Sequence, residues 1–180
     1  DMCYYNLNMT NCNIVYLVED MVASIVDYVE GKNIDITFDT EVEEVMLACD
    51  QEKIERIVLN LISNAIRYTN CNCERLGKII IRLYKEENLI KISVKDEKDK
   101  VYLTIWDNGI GIPKNDIKRV FDKSFTGENG RIMAKSTGMG LYIVKKLCDK
   151  LGHKIIIESE IHKYTKITII FYKNDFYKVD

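Results

Sequence analysis

Three short stretches combine residue types that could do chemistry. The first is Asp107-Asn-Gly109-Ile-Gly111-Ile112, which follows a near-continuous apolar run from Val101 to Trp106. A buried strand of that composition delivers a carboxylate into a turn. A carboxylate only accepts hydrogen bonds, so its natural partner is a donor such as the exocyclic amine of an adenine ring. Gly109 and Gly111 have no Cβ and let a flat ring or a phosphate approach the backbone. The second stretch carries Asn60, Asn64 and Arg67, spaced so that three polar groups share one helix edge. Asn costs roughly 0.5 kcal/mol relative to Ala inside a helix, so two stacked asparagines call for a reason. They either bond nearby backbone or water, or they hold a ligand. The third stretch, Ser136-Thr137-Gly138-Met139-Gly140, opens the segment Leu141 to Leu151. First-turn amides there would point out of the loop towards an anion.

These residues need a frame. Apolar residues at Ile14, Leu17, Val18, Met21, Val22, Ile25, Val26 and Val29 predict one amphipathic helix up to Gly31. Ile34 to Phe38 and Val45 to Cys49 read as strands on either side of an acidic turn. Asp50 is a plausible N-cap for a helix to about Tyr68, whose stripe Ile54, Ile57, Val58, Leu61, Ile62 and Ala65 faces the core. After a polar loop around Cys71, Cys73 and Gly77, the runs 78–84, 89–95 and 101–106 predict a three-stranded antiparallel meander. Pro113 begins a short helix over 114–121, and residues 122–137 form a long loop of the kind that is usually functional. Two β-branched runs, Ile155 to Ser159 and Lys166 to Tyr172, complete the sheet. The expected fold is α+β: a two-layer sandwich of about five mixed, mostly antiparallel strands, covered on one face by about three helices, with a flexible lid. Residues 1–13 show no period and read as the tail of a preceding segment.

Composition narrows the function classes. The 180 residues are 47% hydrophobic, enough for one full core. A net charge of -2 argues against nucleic acid as a partner, so any phosphate specificity must be local. No apolar run approaches the roughly eighteen residues of a membrane helix, so the domain is expected to be soluble and without membrane contact of its own. Six scattered cysteines lack zinc-site spacing and read as reduced cytoplasmic thiols.

Together the motifs resemble the ATP-binding catalytic domain of bacterial sensor histidine kinases, in the superfamily shared with gyrase, the ninety-kilodalton heat-shock chaperone and the mismatch-repair ATPase. Asn60-Leu-Ile-Ser-Asn64-Ala-Ile-Arg67-Tyr68-Thr69 is similar to the asparagine box, and Asp107 to Gly111 to the first glycine box. Phe121-Asp-Lys-Ser-Phe125 is similar to the phenylalanine box, and Gly138-Met-Gly140-Leu141 to the second glycine box. The resemblance covers about residues 14 to 172, and residues 14–180 are taken as the catalytic domain.

The resemblance implies ATP and Mg²⁺ as cofactors. Asn64 would ligate the ion, with Asn60 supporting it one turn earlier, and Arg67 would donate to a phosphate. Tyr68 would pack by the adenine or ribose, and Asp107 would accept from the adenine amine, with Gly109, Gly111 and Ile112 beside it. Ser136, Thr137, Gly138, Met139, Gly140 and Leu141 would cradle phosphates, and Arg131, with Lys123 and Lys135, would reach them from the lid. Phe121 and Phe125 would anchor that lid. Thr165 would touch the adenine through a water, although His162-Lys-Tyr-Thr165 replaces the family's Gly-x-Gly-Thr.

ATP-hydrolysing relatives carry Glu where this chain has Asn60, an amide without useful basicity, so transfer to a histidine is favoured over hydrolysis. Neither His153 nor His162 has the phosphoacceptor setting. The implied partners are therefore a histidine-bearing dimerisation domain of the same protein, in a dimer, and a response regulator. The implied location is the cytoplasmic part of a membrane-bound sensor. The alternatives are a degenerate nucleotide-binding regulatory module, or an ATPase or serine kinase of the same fold.

Overall fold

The structure, a computed structural model, describes residues 7–69, 73–76, 79–82, 87–127 and 137–173, with 73–76 and 79–82 as backbone alone. The elements are β1 (Thr10–Asn13), α1 (Ile14–Ala23), α2 (Val26–Glu30), β2 (Ile34–Thr40), β3 (Met46–Cys49), α3 (Gln51–Thr69), β4 (Cys73–Leu76), β5 (Ile79–Arg82), β6 (Asn88–Glu97), β7 (Lys100–Asp107), α4 (Lys114–Ile117), α5 (Gly140–Lys150), β8 (Lys154–Glu160) and β9 (Tyr164–Tyr172). No helix among the described residues is long and apolar enough to cross a membrane.

One five-stranded sheet, in the order β2-β6-β7-β9-β8, carries the site. Only the β2–β6 pair is parallel. Alternation along β7 sets the core face: Val101, Leu103, Ile105 and Asp107 are buried, and the residues between them are half-buried. Because side chains repeat every second residue, Asp107 is the polar last member of an otherwise apolar inward row. β9 runs antiparallel to β7 in a register that sets Ile167 opposite Ile105 and Thr165 opposite Asp107.

Helices α1, α3 and α5 join this face in one hydrophobic core, giving the expected α+β sandwich. All six residues of the α3 stripe are buried, at roughly 1.5–3 kcal/mol for each large side chain, which fixes the rotation of the helix and hence of its polar edge. Asp50 caps α3: its Oδ1 accepts from Lys53 N at 3.2 Å.

Several expectations are corrected. The helix predicted from Ile14 to Gly31 is broken, because the Ser24 hydroxyl donates to Met21 O at 2.7 Å and Ile25 N turns back to Val22 O. Such side-chain competition with the backbone ends helices. The meander is only partly formed. β6 and β7 pair as predicted, but β5 pairs with β4, a strand inside the predicted polar loop, and the second neighbour of β6 is β2. Residues 10–13, within the stretch read as aperiodic, form β1, which pairs antiparallel with β3. The short helix predicted over 114–121 stops at Ile117, and turns lead on to Ser124. The central lid residues, 128–136, lie outside the described residues.

Candidate functional site

The turn after β7 is built to hold Asp107 still. Its side chain is 5% exposed, and Oδ1 accepts from Gly109 N at 2.8 Å. Ile110 N donates to Tyr68 O at 3.3 Å, and a Cβ at Gly109 would sit 2.7 Å from that same carbonyl oxygen. The last turn of α3 and the turn after β7 are thus in direct contact. Gly111 has φ +68°, and a Cβ there would lie 2.1 Å from Glu160 O, against the β8–β9 turn. From that side, His162 N donates to Ile110 O at 2.7 Å, and Ile112 N donates to Ser159 Oγ at 2.8 Å. Asn108 continues the β6–β7 pairing with its side chain, accepting from Leu89 N at 2.9 Å and donating to Glu87 O at 3.0 Å.

Below this turn opens a cavity with Leu61, Ala65, Ile105, Val120, Leu141 and Ile167 among its apolar lining and Asn64, Tyr68, Asp107, Gly111, Ile112, Asp116 and Thr165 among its polar and backbone groups. An apolar lining with a few convergent polar groups is the composition of a small-molecule site. A second recess shares Asn64, Tyr68, Val120, Phe125, Thr126 and Leu141 with it and adds Asn60, Arg67, Thr137, Gly138 and Gly140. The apolar cavity suits a ring, and the polar recess suits a charged tail.

At the polar end, α5 starts against α3. A Cβ at Gly140 would come within 3.3 Å of Asn60 Oδ1 and 3.6 Å of Asn64 Nδ2. Asn60 Nδ2 donates to Arg56 O at 2.8 Å, which leaves its oxygen facing the start of α5. Met139 at the cap position has no capping side chain, and among the described residues no side chain caps α5, so its first amides are placed to donate to an acceptor from outside the helix. Gly138, at φ +63°, packs where a Cβ would be 2.5 Å from Phe125 O, joining the second glycine stretch to the phenylalanine stretch. Arg119 stacks on the Phe125 ring at 4.5 Å.

Among the described residues, the side chains that α3 turns towards the start of α5 are two carboxamides, Asn60 and Asn64. Among the described residues no trio of His, Cys, Asp or Glu gathers to hold an ion. An ion at Asn64 would take its other ligands from phosphates and water, which fits Mg²⁺, a small hard cation that keeps waters and binds through substrate phosphates.

Asn60, Asn64, Arg67, Tyr68, Thr137, Gly138, Gly140 and Leu141 thus gather at one depression with Asp107, Gly111, Ile112 and Thr165. Gly109 lies behind Asp107, and Met139 takes the cap position of α5, 3.8 Å from Ser124 Oγ. Lys123 is exposed, while Arg131, Lys135 and Ser136 lie outside the described residues. Thr165 stands opposite Asp107 despite the missing glycines. Sequence reasoning missed Ser159, a lone serine in an ordinary strand pattern, and the apolar floor, which shows only as core.

The two histidines are far from this chemistry in character. His153 packs edge-on against Phe171, with ring centroids 4.8 Å apart, and burial lowers its pKa from 6.5 to about 4. His162 is exposed at φ +62°. Cys12, Cys49 and Cys148 are free, buried thiols, and burial pushes Cys148 up to about 12. Cys3 and Cys71 lie outside the described residues, and Cys73 is described as backbone alone.

With strand-end acid, helix-edge asparagines and glycine-opened helix around one cavity, the chain belongs to the histidine kinase-, DNA gyrase B- and HSP90-like ATPase family, whose pattern matches residues 49–175. Its relatives are sensor histidine kinases. It is 34% identical over 122 residues to sensor histidine kinase YxdK of Bacillus subtilis (strain 168), covering 68% of this chain and 33% of that protein. It is 32% identical over 144 residues to sensor histidine kinase YcbM of the same organism, covering 79% and 42%. Among solved structures, the nucleotide-free catalytic domain of histidine kinase ThkA superposes with a TM-score of 0.73 at 26% identity, covering 93% of this chain and 97% of that one. The chain spans about a third of the length of the sensor proteins it matches.

Proposed function

We propose that this chain binds Mg-ATP and transfers the γ-phosphoryl group to a histidine on an adjoining dimerisation domain of the same protein, in two-component signalling. The observation that carries the proposal is that Asp107 and Asn64 line one cavity, with Gly138 and Gly140 at its open end. In this reading Asp107 accepts from the adenine amine, Tyr68, Ile112 and the apolar floor flank the ring, and Thr165 lies beside it. Asn60, Asn64 and Arg67 face the phosphates from α3. Thr137 to Leu141 face them from the start of α5, and Arg131 and Ser136 join them on the resemblance alone. Mg²⁺, when bound, would neutralise phosphate charge in the transfer. The protein's own contribution is position: the two helices hold the triphosphate in line with the incoming imidazole nitrogen, which forms the new N–P bond as the bond to the β-phosphate oxygen breaks.

The residue four before Asn64 is Asn60, and its amide is engaged by Arg56 O, so no general base stands there to activate water. That supports transfer over hydrolysis. His153, buried against Phe171, and His162, in the β8–β9 turn, do not serve as acceptor in this reading. The catalytic domain in this reading comprises residues 14–180 together with β1, which pairs with β3, and it works in the cytoplasm beside a response regulator. The test is phosphotransfer by a longer protein that includes the acceptor domain. Asn64→Ala should abolish labelling of the histidine while leaving the fold intact, and an unchanged rate would refute the assignment.

A further inference from the structure

The hydroxyls of Ser159 and Thr165 donate in a fixed direction. Ser159 Oγ lies 2.6 Å from Tyr164 O, 2.8 Å from Ile112 N and 3.1 Å from Thr165 Oγ1. A carbonyl oxygen has no proton, so an oxygen–oxygen contact of 2.6 Å requires the proton of the serine. The N–H of Ile112 occupies one of the two serine lone pairs. A hydroxyl has one proton and two lone pairs, so the third contact is made only with Thr165 donating and Ser159 accepting. The proton of Thr165 is therefore held towards Ser159, and what its oxygen offers the cavity is lone pairs. Across the strand pair stands Asp107, an acceptor as well, and both residues line the cavity.

Two neighbouring acceptors match a ligand edge that only donates, such as the two hydrogens of the amine at C6 of adenine, directly or through water. A carbonyl at C6, as in guanine or hypoxanthine, would set oxygen against oxygen. We propose that Ser159 is a positioning residue that determines base specificity: by holding the Thr165 proton away from the cavity, it makes the site select 6-amino over 6-oxo purines. The inference rests on the reading of Asp107 as the adenine acceptor.

The probes are ATP and inosine triphosphate, which exchanges the amine at C6 for a carbonyl, titrated calorimetrically against the 180-residue chain. In Ser159→Ala the Thr165 hydroxyl is free to turn its proton towards a C6 oxygen, so the preference for ATP should fall about tenfold. Ser159→Thr, which keeps the hydroxyl, should retain it. Equal weakening of both nucleotides by Ser159→Ala, with the ratio unchanged, would overturn the proposal and leave Ser159 a packing role. Thr165→Val tests the same point without touching Ser159; it should also lower the ratio, and an unchanged ratio counts equally against the inference. Asp107→Asn keeps the two failures apart. ATP binding that survives it sinks the parent reading, whereas ATP binding lost with an unmoved Ser159→Ala ratio sinks only this one.

Discussion

At the base end of the cavity, the groups that would meet a ligand are already tied to the protein. Asp107 holds Gly109 N, Ser159 joins Ile112, Tyr164 and Thr165, and Gly111 is pressed against Glu160. These ties run between β7, β8 and β9, strands packed into the core. At the phosphate end the recess lies between a half-exposed helix edge and a loop, and α5 begins with no side-chain cap. The contrast separates two ways of making a site. In the proposed reading, base recognition would be ordered by folding itself and cost little further conformational entropy on binding, whereas phosphate recognition would be completed by the phosphates, which would supply acceptors for the first amides of α5.

The largest expected effect tests whether folding orders the base end. Gly111→Ala puts a methyl 2.1 Å from a backbone carbonyl at positive φ, and should cost about 3 kcal/mol or more, lowering the melting temperature by roughly 10 °C. Gly152→Ala is the control. It has a similar φ of +71° but nothing within 4 Å, so its cost should be only the left-handed strain of about 1 kcal/mol. Equal melting of the two variants would show that the contact with Glu160 contributes nothing.

Next in size is Asp107→Asn. The amide oxygen can still hold Gly109 N, so the fold should survive, but the charged acceptor is lost and ATP affinity should drop about 100-fold by calorimetry. A drop below about threefold would break the comparison, because the base end would then contribute little.

A third prediction concerns the far end of β9. His153 has a folded pKa of about 4 against an ordinary 6.5, so the unfolded chain binds its proton first. The stability associated with neutral His153 is fully present above pH 6.5 and is lost as pH falls from 6.5 towards 4. Partial solvent contact reduces the loss to about 2 kcal/mol. Denaturant melts at pH 7 and pH 4.5 should show this slope, and His153→Leu should flatten it. A slope that persists in the variant would assign it to other groups.

The smallest effect is at the open end. Gly140→Ala sets a methyl 3.3 Å from Asn60 Oδ1, so ATP should bind about tenfold more weakly while adenosine, without phosphates, is unaffected. Equal loss for both ligands would erase the distinction between the two ends.

Much of this molecule is legible from periodicity. The apolar stripe of α3 and the inward row ending at Asp107 are local patterns, and both were readable because burial of one face repeats every few residues or every second residue. Asp50 as a cap was legible for the same local reason. The β4–β5 pair, the β1–β3 pair and the break at Ser24 were not, since each depends on which partner a backbone group finds.

From its residues alone the chain determined a core, an order of elements and the chemical types lining one cavity. Tertiary structure decided that Asp107 faces Thr165, that Gly140 meets Asn60 and Asn64, and that Ser159 meets Ile112, Tyr164 and Thr165. Those facts join residues dozens of positions apart through strand register and helix packing. A local pattern fixes which side of an element is buried, but not which distant neighbour it is buried against.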